Sequence, residues 1–361
     1  MNWNKKHILL ALLLPIQMLF MRLIANYPEV VEQYYSNGIY PYISSTLRIL
    51  FGWIPFSVGD ILIAFLLFFL LRFLFLLIKN KFKHVLHKIV HLTAVASIIY
   101  FCFYLFWGLN YYREPLAKNL NYQQKEYSTE QLLQTTKYII KQLNHYQNQI
   151  TKNDIVMVVN PYQQKEMYAK AIVGFKNVTK DFPKLNYTFS SVKNSSMSLL
   201  QTYNGTSGYL NPLTGEAQVN KLVPKTSYPT TTCHEMAHQI GFAAENEANF
   251  VGFLAANYND DIYFKYASYR MAFAYCIAEL RKRNPELSRD LWQTVNKGII
   301  KDFNSSYKFW DAYRNPFEPI VKKGYNAYLK ANKQDKGVAS YNYVVDLLIS
   351  YFYETQGSTF S

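Results

Sequence analysis

The chain has 361 residues, of which 50% are hydrophobic and 17% aromatic. This composition excludes an intrinsically disordered protein, because disordered chains are poor in apolar and aromatic residues. The formal net charge of +14 does not indicate nucleic-acid binding, since no recognition motif accompanies the basic residues and many of them flank apolar stretches, where they would face anionic lipid headgroups.

Three apolar stretches lie in the first part of the chain, each close to the ~20 residues that cross a bilayer. They cover about residues 8–25, 61–78 and 89–109. The first has a basic start, as a signal peptide does, but no small-residue cleavage site follows it and two further stretches do. The sequence therefore predicts a transmembrane region of three helices over residues 1–116.

The placement of lysine predicts the orientation of these spans. Four lysines crowd the link between the second and third spans, at positions 79, 81, 83 and 88, and two precede the first span. The link between the first and second spans has only Arg48, together with the acidic Glu29 and Glu32. The positive-inside rule then places the N-terminus in the cytoplasm and the chain from about residue 110 onward outside it.

Residues 117–361 form the second predicted region, which is mostly helical. Ser128 followed by Gln131 is typical of a capping box at a helix start. Alternation over residues 187–200 predicts a strand, and turn signals at residues 211–215 predict a hairpin whose second arm begins at Glu216. The fold class is α+β: a three-helix transmembrane region followed by a mostly helical domain with a small β-sheet.

The stretch from Thr230 to Gly241 contains the motif His-Glu-x-x-His. Residues four apart share one face of a helix, so His234 and His238 can bind one metal ion. Glu235 lies beside them, where a carboxylate can act as general base. The three threonines at 230–232 are possible N-caps, and Gly241 is a possible helix end.

A catalytic zinc that keeps a position for water needs a third protein ligand. Ala244 occupies the position of a third histidine six residues after His238, and the one other histidine of this region is His145. A carboxylate is therefore favoured.

Glu245 and Glu247 are the two candidates for this third ligand. Glu245 ranks first, because Asn249 shares its helix face and could hydrogen-bond a ligand histidine from outside the ligand shell. Glu247 is the alternative, and either carboxylate could instead be a solvated surface group. The oxyanion-stabilising group stays open among Tyr266, Tyr269, Tyr341 and His145.

The motif followed by Glu245-x-x-Ala248-Asn249 resembles the gluzincin pattern of zinc metallopeptidases. More closely, the chain resembles an uncharacterised bacterial membrane-protein family that joins a few N-terminal spans to a gluzincin-like domain. The segments that carry this resemblance are 107–113, 212–220, 233–253, 329–332 and 340–341. It implies a zincin-like fold for residues 117–361, zinc bound by His234, His238 and Glu245, and a location in the bacterial inner membrane.

The expected function is a membrane-anchored zinc metallopeptidase that hydrolyses peptide bonds of envelope proteins or peptides outside the cytoplasm. The alternative is a non-catalytic zinc-binding membrane sensor or scaffold; the presence of Glu235 favours the enzyme, because a structural site has no use for a base. The expected partners are the lipid bilayer and a peptide or protein substrate, without nucleic acid. Strand addition at Thr214–Asn220 would hold the substrate, and Glu216 there is expected to be a solvated strand residue.

Overall fold

The computed structural model describes residues 5–122, 127–334 and 343–357. The first helical segments are α1 (Lys5–Ile24), α2 (Pro28–Val30), a π-helix (Val31–Ile39), α3 (Tyr40–Gly52), α4 (Val58–Lys79), α5 (Val85–Phe106), a 3-10 helix (Gly108–Tyr112) and α6 (Leu116–Asn119). They are followed by α7 (Thr129–Thr151), α8 (Gln164–Val178), a 3-10 helix (Pro183–Leu185), β1 (Val192–Asn194), α9 (Ser198–Tyr203), β2 (Gly208–Asn211) and β3 (Glu216–Val219). The last are α10 (Tyr228–Gln239), α11 (Glu245–Asn257), α12 (Ile262–Arg283), α13 (Pro285–Gln293), α14 (Lys297–Asp311), α15 (Glu318–Ala331) and α16 (Val344–Gln356).

Three of these helices, α1, α4 and α5, are long and apolar enough to cross a membrane. They overlap the three predicted spans, although α5 ends at Phe106 and not at about residue 109. The predicted combination of apolar N-terminal helices, a mostly helical remainder and a small sheet is confirmed. Helices α1 and α5 pack against each other. In α4, by contrast, the only described residues that are buried are Gly59 and Asp60, in its first turn.

The segment between the first two spans is almost continuously helical and packs onto the later part of the chain. The hydroxyls of Tyr40 and Ser44 donate to the carbonyl of Gln239 at 2.9 and 2.5 Å. Glu32 pairs with Arg113 at 2.9 Å, and both side chains are buried. Burial raises the pKa of Glu32, but the Arg113 guanidinium outweighs it and holds this pKa below its ordinary value. Residues on both sides of the predicted boundary at 116 therefore share one packed interface.

The main hydrophobic core lies among helices α7, α8, α10, α11, α12 and α16. Large side chains such as Phe175, Phe253 and Phe273 are fully buried there. The predicted capping box opens α7: Ser128 Oγ accepts from the Gln131 backbone N–H at 3.1 Å, and the Gln131 side chain accepts from the Ser128 N–H at 2.8 Å.

The sheet has three short strands in the order β1-β3-β2, with β1 parallel and β2 antiparallel to β3. The predicted hairpin is β2 and β3, but the predicted strand over 187–200 is wrong for most of its length, because only 192–194 pair and 198–203 form α9. Strand addition at Thr214–Asn220 is also wrong. Both sides of β3 are already hydrogen-bonded to neighbours, so this segment has no free edge for a peptide.

Glu216 was expected to be solvated, and this expectation is wrong. Its side chain is fully buried and accepts hydrogen bonds from the backbone N–H groups of Val58 and Gly59, at 3.1 and 2.5 Å. These are unpaired donors at the N-terminus of α4, where a negative charge is favoured. Lys193 from β1 forms a buried ion pair with the same carboxylate. The sheet is thus bonded to the start of the second span.

Candidate metal centre

The helix that carries the motif, α10, begins at Tyr228, with Pro229 in its first turn. The threonines at 230–232 are therefore inside the helix, and the expectation that they cap it is wrong. Gly241 follows the helix end with φ of +95°, a left-handed conformation that glycine adopts without strain. The resulting reversal brings the start of α11 back against the motif.

The structure brings His234, His238 and Glu245 together. Their ligand atoms all lie within 4.8 Å of one another. Glu245 Oε2 is 3.3 Å from His234 Nε2 and 3.7 Å from His238 Nε2. Close helix packing makes this possible, because a Cβ on Gly252 of α11 would lie 3.0 Å from the His234 backbone nitrogen.

Neighbours outside the cluster fix the His238 ring. Its Nδ1 lies 2.7 Å from the carbonyl oxygen of Phe242, so Nε2 is the nitrogen that faces Glu245. The indole N–H of Trp107, just after α5, donates to the His238 carbonyl at 2.9 Å. A carbonyl at the second ring nitrogen, such as that of Phe242, orients a metal-binding histidine. The end of the third span therefore contacts the motif helix directly.

Glu235 is 3% exposed and does not join the three-residue cluster. One of its oxygens, Oε2, has no hydrogen-bond partner among the described residues. The other is close to β2, because a Cβ on Gly208 would lie 2.6 Å from Glu235 Oε1. Burial raises the pKa of Glu235, although the two histidines oppose this. A buried carboxylate with a free oxygen and a raised pKa is suited to accept a proton near neutral pH.

Glu247 faces away from the cluster. It accepts a hydrogen bond from the Leu116 backbone N–H at 2.6 Å, at the start of α6. Burial raises its pKa to about 7, against the opposing effects of the Leu116 N–H and Arg113. Of the two candidate carboxylates, Glu245 alone is placed among the histidine nitrogens.

Asn249 does not hydrogen-bond either histidine, contrary to the expectation from its helix position. His238 Nδ1 already contacts Phe242, while His234 Nδ1 and Asn249 Nδ2 have no hydrogen-bond partner in the described part of the chain. The hydroxyl of Tyr275, from α12, lies beside the Asn249 amide.

Tyr325 of α15 is a site residue that was missed in the sequence. Its hydroxyl donates to Glu245 Oε1 at 2.6 Å, which leaves Oε2 facing the histidines. The described oxyanion candidates have other contacts: Tyr266 donates to Asp302 at 2.8 Å, Tyr269 stacks with Tyr146, and His145 packs against Tyr146 as well. Tyr341 lies outside the described residues.

The donor set fits a tetrahedral zinc ion. Zinc ligands at about 2.0–2.1 Å from the metal and at tetrahedral angles are about 3.3–3.4 Å apart. The two separations that involve Glu245, 3.3 and 3.7 Å, are close to this value, and all the ligand atoms lie within 4.8 Å of one another. In a tetrahedral site, two imidazoles and one carboxylate would leave a fourth position for water or substrate.

One protein-family model matches residues 35–349, and its description is "Protein of unknown function (DUF3810)". No curated protein and no solved structure matches the chain. The matched region begins in the segment between the first two spans and includes the motif helix, the start of α11 and α15. Because the match covers most of the sequence, the chain belongs to the DUF3810 family of proteins of unknown function.

Proposed function

We propose that this protein is a membrane-anchored, zinc-dependent metallopeptidase of gluzincin type. The observation that carries the proposal is the convergence of His234, His238 and Glu245, with the buried carboxylate of Glu235 next to the two histidines in the chain. Binding of the metal ion needs the first three residues only. Glu235 is the additional residue that a hydrolytic site requires, as its general base.

In this proposal His234, His238 and Glu245 bind the ion, and Glu235 acts as the general base and then as the general acid. Zinc would lower the pKa of a coordinated water to about 7 and polarise a peptide carbonyl. Glu235 accepts the proton of the attacking water at its free oxygen and returns it to the leaving amine. Phe242 and Tyr325 orient one histidine and the carboxylate, so that the ligands are positioned before substrate binds.

The proposed location is the bacterial inner membrane, with the N-terminus in the cytoplasm and the metal centre outside. The asymmetry of lysine between the two links supports this orientation. Peptide bonds of envelope proteins or peptides are then the substrates within reach. The contact between Trp107 and the motif helix keeps the centre near the end of the third span.

Glu235→Gln is the substitution that tests the reaction. We expect the purified full-length variant in lipid nanodiscs to bind as much zinc as the wild type. Hydrolysis of a mixed peptide library, followed by mass spectrometry, should fall roughly 10²–10⁴-fold, because an amide cannot accept the proton. Undiminished peptide hydrolysis by the variant would refute the proposed enzymatic function. A wild-type protein that binds zinc but cleaves neither the library nor extracytoplasmic proteins would favour the sensor or scaffold.

Metal content of two matched variants tests the third ligand. We expect Glu245→Ala to lose at least tenfold in zinc affinity, because one of three protein ligands is removed. Glu247→Ala should keep wild-type affinity and instead lower the unfolding temperature, because the Leu116 N–H loses its buried acceptor. Zinc binding that survives Glu245→Ala unchanged would reject the gluzincin assignment.

A further inference from the structure

Helix α15 has an exposed apolar stripe. Its residues share one helix face, because their spacing follows the three- and four-residue intervals of a helix. They are Phe317, Ile320, Val321, Gly324 and Tyr328. Phe317 is 70% and Ile320 68% exposed. A Cβ added at Gly324 would meet nothing within 4 Å. The stripe from Phe317 to Gly324 therefore packs against little of the described protein, whereas Tyr328 at its end packs against α5.

The C-terminal end of α15 is bonded to the two paired spans. Asn332, which follows the helix, accepts a hydrogen bond from the Tyr104 hydroxyl of α5 at 2.9 Å. The Tyr328 ring packs edge-on against Phe103 of the same span. Lys333 donates to the carbonyl of Ala25, one residue after α1 ends. This end of the helix lies at the level where α1 ends and α5 leaves the membrane.

The chain just before α15 is linked to the other span, α4, through α9. Asn315, three residues before the helix, donates to the carbonyl of Tyr203 at the end of α9 at 2.8 Å. The chain just before α9 is bonded to that span, since the Ser196 N–H donates to Asp60 at 2.6 Å. Tyr209 of β2 donates to the same carboxylate. The C-terminal end of α15 is thus bonded directly to α5 and to the chain after α1, whereas its N-terminal end is linked to α4 through α9.

We propose that α15 lies along the bilayer surface, with its apolar stripe among the acyl chains and headgroups of anionic phospholipids. Three observations select lipid as the occupant. The stripe leads directly to α5, because the Tyr328 ring packs against Phe103 of that span. The C-terminal end of the helix is bonded to α5 and to the chain just after α1. The helix also has exposed lysines at 323 and 330 that suit anionic headgroups.

In this proposal a helix on the membrane surface, α15, forms one side of the metal centre. Tyr325, one residue from Gly324 in the stripe, donates to Glu245. A helix bound to lipid thereby positions one residue of the cluster, Glu245. A substrate that reached the centre beside α15 would come from the bilayer surface. This assignment does not depend on peptidase activity.

A nitroxide label at Ile320→Cys tests the proposal in the full-length protein. Cys102→Ser provides the background, because the other two cysteines are buried. In nanodiscs of phosphatidylcholine and phosphatidylglycerol, we expect electron paramagnetic resonance to show several-fold more collisions with oxygen than with a water-soluble nickel chelate. Val159→Cys is the matched control, since Val159 is 69% exposed in the loop between α7 and α8, and the chelate should dominate there.

Equal access of the chelate to both labels would overturn the proposal, because the stripe would then face water. Protection of the Ile320 label from oxygen and chelate alike would overturn it too, because protein rather than lipid would cover the stripe. Phe317→Cys repeats the measurement on the same stripe if the first variant does not fold. Replacing phosphatidylglycerol by neutral lipid should reduce the oxygen preference at both stripe positions, and an unchanged preference would remove the anionic lipid from the proposal.

Discussion

The space around Glu235 is closed on one side by β2. A side chain at residue 208 would meet Glu235 Oε1 at 2.6 Å and the Gln218 carbonyl oxygen at 2.9 Å, both shorter than a Cβ tolerates. The residue has no positive φ that would by itself require glycine. Its small size is therefore needed for the close approach of the strand to the carboxylate.

Gly208→Ala should displace Glu235 without touching the metal ligands. Under the proposed mechanism we expect hydrolysis to fall at least about tenfold, which corresponds to about 1.4 kcal/mol of activation free energy, while zinc content stays unchanged. Peptide turnover and metal analysis of the same preparation check this. Gly324→Ala is the control, because its Cβ meets nothing within 4 Å. An active Gly208→Ala enzyme would mean that the strand gives way and the contact is unimportant.

Local spacing explains which part of the candidate site was predictable. The four-residue interval in the motif and the helix phase of Glu245 predict which side chains converge, and the structure places those three together. Tyr325 is 80 residues from Glu245 and is one of 32 tyrosines, so no local pattern selects it. The predicted hydrogen bond from Asn249 to a histidine is not found among the described residues, and at His238 the chain turn at 240–242 supplies the Phe242 carbonyl instead.

At the level of elements, the buried pair of Glu216 and Lys193 joins the sheet to α4. Besides the two backbone donors of α4, Glu216 accepts from Thr214 Oγ1 at 2.9 Å. Lys193 also donates to the Phe51 and Phe56 carbonyls, at 2.7 and 3.0 Å. These bonds compensate part of the cost of burying both charges, but neither group keeps its counter-charge when the other is removed.

Lys193→Met should therefore destabilise the protein by about 3–5 kcal/mol, because it leaves the Glu216 charge buried without its cation. Unfolding of the detergent-solubilised protein, followed by circular dichroism, measures the change. Adding Glu216→Gln should recover part of the loss, since the uncompensated charge is then removed. Lys322→Met is the matched control at the exposed pair with Glu318, and no measurable change is expected there. Additive effects of the two core substitutions would argue against coupling.

The sequence could predict the β2–β3 hairpin but not its position in the sheet. Turn residues at 211–215 act locally, whereas the third strand, β1, has only three residues and leaves a weak alternation. The hydrogen-bond partners of Glu216 at the start of α4 lie 157 and 158 residues earlier in the chain. From the sequence alone, a polar residue in a short strand is predicted to be exposed to solvent, because such distant partners cannot be identified.

On the scale of the whole molecule, the membrane helices and the rest of the chain share buried polar contacts. Arg113 joins them most directly, since it pairs with Glu32 and donates to the Gly241 carbonyl at 2.9 Å. Patterns of hydropathy predicted the three spans, but they contain no information on the intervening helical segment, whose partners lie about 200 residues away. A fragment that began at residue 117 would lack the donors to the carbonyls of residues 238, 239 and 241.

The orientation of the whole molecule can be tested by thiol labelling of spheroplasts. On the Cys102→Ser background, a membrane-impermeant maleimide should label Val159→Cys, since the lysine-rich link is predicted to be cytoplasmic and residues after the third span outside. Lys81→Cys, in that link, is the control and should react only after permeabilisation. The opposite pattern of labelling would reverse the predicted topology.

The attachment of α4 by its first turn has a further consequence, for the rotation of this span about its own axis. The face that a membrane helix turns to lipid is usually set by neighbouring helices and interfacial anchors. The apolar window of α4 has no buried residue, whereas Asp60 and the N–H groups of Val58 and Gly59 make directional bonds to the sheet and to Ser196. The azimuth of a 22-residue helix is therefore determined by polar groups outside the hydrocarbon, at one end only.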